Sequence, residues 1–177
     1  MNFERQYEPQ SLDDYVFASD AVENLIRSYV TGNAHRHLIL HGLYGTGKTL
    51  LAKLLPQAMA PDVSSHDIKL INASVDNKID TVRRDIQSFA MAIGWNSRRL
   101  RWLILDECEQ ITPEGQKALK GLLDQVASHV MVIMTTNEIW KVHDPIKDRC
   151  EVVSITRPDG EKMLRAAKRI LAAEDET

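Results

Sequence analysis

Residues 37–55 read HLILHGLYGTGKTLLAKLL, an apolar run that breaks into a glycine-rich loop and resumes, after a lysine and a threonine, as a helical pattern. The loop GLYGTGKT at 42–49 fits the spacing G-x-x-x-x-G-K-[ST], with the strand before it and the helix after it that this spacing requires. Glycines let the backbone wrap with its N–H groups inward, making an anion nest at a helix N-terminus. The candidate phosphate-binding residues are Gly42, Leu43, Tyr44, Gly45, Thr46, Gly47, Lys48, Thr49 and Leu50. Lys48 would reach the β- and γ-phosphates of a nucleoside triphosphate, and the Thr49 hydroxyl would ligate Mg²⁺. Tyr44 adds nothing the spacing demands and reads as partly exposed or contact surface.

Working outward, five short apolar runs read as strands: 37–41, 68–72, 102–106, 130–136 and 151–155. They are continuous rather than alternating, which suits a parallel sheet covered on both faces. Helical periodicity fills most of the gaps. Residues 78–93 put Ile79, Val82, Ile86, Phe89, Ala90 and Ile93 on one face, and residues 114–127 do the same with Ala118, Leu119, Leu122, Leu123 and Val126. Thr112 as N-cap and Pro113 at the first helical position mark where the second of these begins. This alternation predicts a three-layer αβα sandwich around a five-stranded parallel sheet. After a Pro-Asp-Gly turn the chain closes with a helical pattern carrying Met163, Leu164, Ala167, Ile170 and Leu171. That helix either packs on the sheet or begins a further domain; the second expectation divides the chain into a nucleotide-binding core at 1–156 and a linker with the first helix of a truncated lid at 157–177.

The 177 residues, 44% hydrophobic, suffice for one substantial core. No apolar run approaches the roughly 18 residues of a membrane span, and the first ten residues lack the features of a secretory signal. A soluble, cytoplasmic protein without membrane contact is expected. Cys108 and Cys150 have no zinc-type spacing and read as free thiols. A net charge of −3 gives no overall attraction to nucleic acid, so such binding would need a local basic face or assembly.

The run WLILDECEQ ends a strand in Asp106 and Glu107, at the sheet edge where a parallel strand delivers side chains to the phosphates. Asp106 can hold the magnesium shell, and Glu107 can polarise an attacking water. That pair distinguishes a hydrolase from a passive binder. Asn137, at the tip of the next strand, is either an ordinary turn residue or a side chain that orients the water beside the γ-phosphate. Cys108 would pack as a small buried thiol beside these groups.

With these residues in view, the chain resembles the AAA+ ATPases, and among them the sliding-clamp loaders of phage type and of replication factor C. ERQYEPQSLDDYV looks like the segment that wraps the adenine, with Tyr7, Pro9 and Val16 at the matching positions; INAS resembles the Asn-x-Ser stretch after the second strand; DPIKDRC resembles the Ser-Arg-Cys motif, with Asp148 in place of serine. The resemblance implies catalytic roles for Lys48, Glu107 and Asn137 and a metal site at Thr49 and Asp106. It makes Asn72 the polar partner that holds Glu107 back until DNA arrives. It also makes Arg149 an arginine finger directed at a neighbour's ATP, where a fixed positive fork would stabilise transition-state charge; the alternative is a surface arginine capping its own turn. Gln116 and Lys120 would couple DNA to the ATP site. Lys78, Thr81 and Arg84 would meet DNA phosphates without reading sequence, although a solvated helix face explains them nearly as well. Arg98, Arg99 and Arg101 form another basic candidate.

The function expected from this resemblance is an ATP-binding and ATP-hydrolysing module that couples ATP to loading of a sliding clamp on primer–template DNA during replication. Its partners would be other loader subunits in a pentamer-type ring, the clamp and DNA. The isolated chain would be monomeric and slow. Rival readings are a helicase-loader or transposition-type ATPase, a non-hydrolysing module stabilised by nucleotide, and a small-molecule phosphotransferase, for which no acceptor pocket or closing lid is visible.

Overall fold

The computed structural model describes residues 7–75, 86–125 and 129–175. Strands β1 (His37–His41), β2 (Ile68–Asn72), β3 (Arg101–Asp106), β4 (Val130–Thr136) and β5 (Cys150–Ser154) form one sheet. Their spatial order is β2-β3-β4-β1-β5, and every neighbouring pair is parallel. The expected five-stranded parallel sheet is therefore present, with a one-residue shift in where β3 begins and in both ends of β5.

Side chains along a strand alternate between the two faces. Leu38, Leu40, Trp102, Ile104, Met131 and Ile133 enter the core on one side, and Ile39, Leu103, Leu105, Val132 and Met134 enter the core on the other. Helices α1 (Asp20–Thr31) and α2 (Lys48–Met59) cover the first face with Ile26, Tyr29, Leu51 and Leu55. Helices α3 (Pro113–Gln125) and α4 (Asp144–Lys147), with helical residues 86–90, cover the second with Leu119, Leu122, Ile146, Ile86 and Phe89. Burial on both faces is why the strands read as unbroken apolar runs, and it produces the three αβα layers. At the start of α3 the Gly115 amide donates to Thr112 Oγ1 at 3.2 Å, the capping expected from sequence.

The helix expected over 78–93 is described as helical at 86–90 and gives way to a turn by residue 91, leaving Ile93 54% exposed rather than on the buried face. Its last carbonyls are taken by tertiary donors: Arg101 donates to Phe89 O, and His129 Nε2 lies 2.9 Å from Ala90 O. Val126 lies outside the described residues.

The basic cluster at 98–101 also differs from expectation. Arg98 Nε donates to Met59 O at 3.1 Å and its Nη2 donates to Val30 O, so one guanidinium caps the C-terminal ends of both α1 and α2. Arg101 Nη2 donates to His66 O at 2.6 Å, and its guanidinium lies 3.7 Å from the centre of the Phe89 ring. Two of the three arginines are thus committed to the fold, and only Arg99 faces solvent.

Helix α5 (Gly160–Asp175) starts where the Lys162 amide donates to Asp159 Oδ1 at 2.8 Å, and Lys162 Nζ pairs with Asp20 Oδ1 of α1 at 2.8 Å. Met163, Leu164 and Leu171 are 53%, 54% and 62% exposed, so these side chains do not pack on the sheet. Among the described residues no helix is long and apolar enough to cross a membrane.

Arg98→Ala is expected to lower the unfolding free energy by about 1–3 kcal/mol, because two partly buried helix-end carbonyls lose a charged donor. Urea unfolding of the variant beside the parent checks this; an unchanged midpoint and slope would return Arg98 to the surface.

Candidate active site

In the sheet order β4 lies between β3 and β1, so the C-terminal tips of all three meet at one edge. The loop at 42–47 leaves β1 there. Gly42 has φ +154°, and a Cβ on it would lie 2.1 Å from Ile155 O, so only glycine lets the loop pass this close to the end of β5. Gly47, at φ +84°, precedes α2 in the left-handed region, and a Cβ there would come within 3.1 Å of the Tyr15 ring. Tyr15 also donates its hydroxyl to Thr46 O at 3.3 Å, which ties the N-terminal segment to the loop.

Lys48 is 6% exposed and donates from Nζ to Leu43 O at 2.7 Å. Burial lowers its pKa from the ordinary lysine value, and the nearby Glu109 and Asp106 carboxylates oppose that shift. Burial likewise lowers His41, with Lys48 as the second cause. Thr49, on the first turn of α2, donates to Asp106 Oδ1 at 2.7 Å. Thr135 donates to the same oxygen at 2.5 Å and accepts the Glu107 amide at 3.2 Å. Glu107 itself has φ +57°, ψ +46°, after which the chain makes a short 3₁₀ turn over Cys108–Gln110. Its side chain has no hydrogen-bonding partner among the described residues and faces an open cleft.

That cleft, about 330 Å³, is walled by Tyr44, Gly45, Gly47, Lys48, Thr49, Leu50 and Lys53 on the loop side, by Asp106 and Glu107 from β3, by Thr135 and Asn137 from β4, and by Glu8. The volume falls within the range of small-molecule sites. Positive-φ glycines, a buried lysine and a hydroxyl–carboxylate pair are the donor set that a phosphate chain with Mg²⁺ uses, so the residues present fit a nucleoside triphosphate.

The structure distributes the remaining candidates unevenly. Of the N-terminal segment, Glu8 lines the cleft and Tyr7, Pro9 and Val16 do not; Tyr15 and Phe17, on either side of Val16, line a second, smaller cavity. Asn72 sits in register beside Asp106, but its Oδ1 is occupied by the Ser74 amide at 2.8 Å and the Ser74 hydroxyl at 2.6 Å, and it makes no hydrogen bond to Glu107. Gln116 is 4% exposed. Its Nε2 donates to Lys141 O at 2.9 Å and its Oε1 accepts the His143 amide at 2.8 Å, which joins α3 to the loop after Asn137. Lys120 is exposed. Arg149 is bound within its own chain: Nε and Nη2 donate to the two Asp124 oxygens at 2.6 and 3.0 Å, and Nη1 donates to Pro145 O at 2.7 Å. Lys78, Thr81 and Arg84 lie outside the described residues.

Sequence reading overlooked Thr135 and Glu109. The first looked like an ordinary β-branched strand residue, and the second followed a motif whose two carboxylates already accounted for the pattern. Glu109 Oε1 accepts both the Asn137 amide at 3.1 Å and Asn137 Nδ2 at 2.9 Å.

A phosphate loop between β1 and α2, a carboxylate pair at the tip of β3 and a polar residue at the tip of β4 define the P-loop nucleotide-binding class. A sequence model of the ATPase family associated with various cellular activities (AAA) matches residues 38–157, and the chain belongs to that family. It is 31% identical over 170 residues to the replication factor C small subunit of Haloarcula marismortui and 34% identical over 170 residues to that of Methanoculleus marisnigri. Each match covers 96% of this chain and 52% of the relative, so the chain spans about half the length of these relatives. Among solved structures it superimposes on a Thermotoga maritima DNA polymerase III gamma subunit-related protein with a TM-score of 0.66 and 19% identity, covering 79% of this chain and 47% of the other. The Thermotoga maritima RuvB Holliday junction branch migration motor gives 0.68 and 18%, covering 96% and 55%. At those identities the superpositions establish the shared fold.

Both thiols are buried, Cys108 against the core beneath the site and Cys150 at the start of β5. Burial pushes the Cys150 thiol up from 9.0 to about 12, and Cys108 higher still. Below the unfolded thiol value both states hold their protons and stability does not depend on these groups. Above it the unfolded chain releases protons that the folded chain keeps, so stability falls as pH rises from about 9 towards 12. Denaturant midpoints between pH 8 and 11 are expected to decline for the parent and to decline less for a Cys108→Ala, Cys150→Ala double variant.

Proposed function

We propose that the chain is the ATPase core of a sliding-clamp loader, binding ATP with Mg²⁺ and hydrolysing it within an assembly that acts on a clamp and primer–template DNA. The observation that carries hydrolysis is the Glu107 carboxylate in the cleft wall, without a hydrogen-bond partner among the described residues and next to the Thr49–Asp106 pair. A site that only held nucleotide would have no use for a carboxylate kept clear of partners. The similarity to replication factor C small subunits supports the clamp-loader setting.

On this reading the loop amides and Lys48 cradle the phosphates, and Glu107 accepts a proton from the attacking water while Asn137 orients it. Thr49 and Asp106 hold Mg²⁺, which when bound neutralises charge developing on the phosphate oxygens. Tyr7, Pro9 and Val16 belong to the adenine side, and Gln116 and Lys120 relay DNA engagement. Asn72 would reach Glu107 only after releasing Ser74. Arg149 serves a neighbour's site, and in the isolated chain Asp124 holds it at home. The exposed apolar residues of α5 support its assignment as the first helix of a lid.

Steady-state ATPase rates per molecule over a wide protein concentration range, with Lys48→Ala, Glu107→Gln and Arg149→Ala variants, test the proposal. Lys48→Ala is expected to abolish nucleotide binding. Glu107→Gln should bind ATP as the parent does and turn over about 10²–10⁴-fold more slowly. The parent's specific rate should rise with concentration in an Arg149-dependent way, or stay near zero until partner subunits are added. Full turnover by Glu107→Gln would sink the hydrolytic assignment, and brisk Arg149-independent turnover by a monomer would sink the trans arrangement.

A further inference from the structure

Glu109 is 7% exposed and lies two residues beyond Glu107, in the 3₁₀ turn Cys108–Gln110. Its Oε1 accepts two hydrogen bonds from a single residue, the backbone amide and the Nδ2 of Asn137. Its Oε2 is buried and has no hydrogen-bond partner among the described residues. An apolar side chain would leave the Asn137 amide without its acceptor, but a neutral glutamine oxygen would accept it without burying an unpartnered carboxylate oxygen. Capping of the Asn137 backbone alone therefore does not account for a glutamate here.

The two-point contact does account for it. An amide side chain can rotate by half a turn and exchange its oxygen and nitrogen with little change in shape. A carboxylate accepts and never donates, so Glu109 admits only the orientation with Nδ2 towards it; the flipped amide would set Oδ1 against Oε1, oxygen on oxygen. One Nδ2 hydrogen is thereby committed. The other hydrogen and the Oδ1 acceptor remain for the cleft that Asn137 lines.

We infer that Glu109 is a positioning residue of this site, fixing the Asn137 amide so that it donates to the terminal phosphate of a nucleoside triphosphate, and that this contact gives the site its preference for triphosphate over diphosphate. The inference rests on the nucleotide-binding function proposed above. Glutamate is required rather than glutamine because Gln carries a donor and an acceptor on the same group and no longer forbids the flipped Asn137.

The test is equilibrium titration of the full chain with ADP and with ATPγS, each with Mg²⁺, in the parent and in Glu109→Gln, Asn137→Ala, the double variant and Lys48→Ala. Glu109→Gln is expected to leave ADP affinity within about twofold and to reduce the preference for ATPγS by roughly three- to tenfold, as the loss of one oriented hydrogen bond would do. Asn137→Ala should reduce it at least as far, and the double variant no further than Asn137→Ala alone, since Glu109 sets the preference through Asn137, while its charge near Lys48 bears on both nucleotides. Full preference retained in Glu109→Gln, strictly additive losses, or a parent that binds both nucleotides equally would each overturn the inference while leaving Lys48-dependent binding intact. A parent without Lys48-dependent binding would overturn the proposed function and this inference with it. Should Glu109→Gln fold poorly, nitrogen-15 NMR of the parent decides instead. The Asn137 side-chain amide, identified by its loss in Asn137→Ala, should exchange slowly with solvent, and exchange at the free rate would overturn the assignment.

Discussion

One oxygen of Asp106 accepts hydroxyl hydrogen bonds from Thr49, on the first turn of α2, and from Thr135, at the tip of β4. This contact joins the segments that follow and end three neighbouring parallel strands, and it can form only where their tips coincide. Parallel pairing makes them coincide: β3 and β1 both lie beside β4, with Leu105 opposite Met134 and Leu40 opposite Thr135. A slip of one residue in either pairing would turn inward side chains outward and move Thr135 away from Asp106. The packing that buries the sheet on both faces is therefore also what sets the geometry of the cleft.

The rest of the site is supported from behind by groups that never face the cleft. Gln116 satisfies three backbone groups across α3 and the loop after Asn137. Arg98 and Arg101 close helix ends and carbonyls that would otherwise lie unsatisfied in partly buried surroundings. Cys108 drops into the core directly after Glu107 and anchors the turn that carries the carboxylates. Each contact is modest in isolation. Together they fix the backbone at the tips of β3 and β4 more tightly than a surface loop would be fixed, which a preorganised site needs.

How much of this could be read in advance depended on whether the signal was local. The loop at 42–49 and its flanks carry their meaning in spacing alone, and the apolar runs specify strands buried on both sides, so the sheet and the phosphate loop were legible. The basic run at 98–101 was not, because a charged side chain looks the same in sequence whether it meets solvent or caps a helix thirty or more residues away. Ile93 continued a 3.6-residue period past the point where the helix stops, since the donors that end the helix, Arg101 and His129, come from elsewhere in the chain. Arg149 showed its charge but not its partner: Asp124 lies on α3, and only the packing of α3 against α4 brings the two together. Thr135 and Glu109 escaped notice for the same reason, as each acts through a side chain remote in sequence.

The left-handed backbone at Glu107 links the visible and hidden parts of the site. For a residue with a Cβ that conformation costs on the order of 1 kcal/mol, and nothing in the side chain of glutamate favours it as an asparagine or a glycine would. An extended residue would carry β3 onward, and Cys108 and Glu109 would then point to alternate faces beyond the sheet. The positive φ turns the chain back at once. A single strained residue thus aims its own carboxylate at the cleft, sinks the next side chain into the core and sets the one after it beneath Asn137. Replacing Glu107 by glycine would relieve the strain and preserve the turn, yet it would remove the carboxylate for which the turn is made. The cost is borne where the site's chemistry needs it, and the buried thiol and the doubly bonded Asn137 on either side keep the backbone from relaxing.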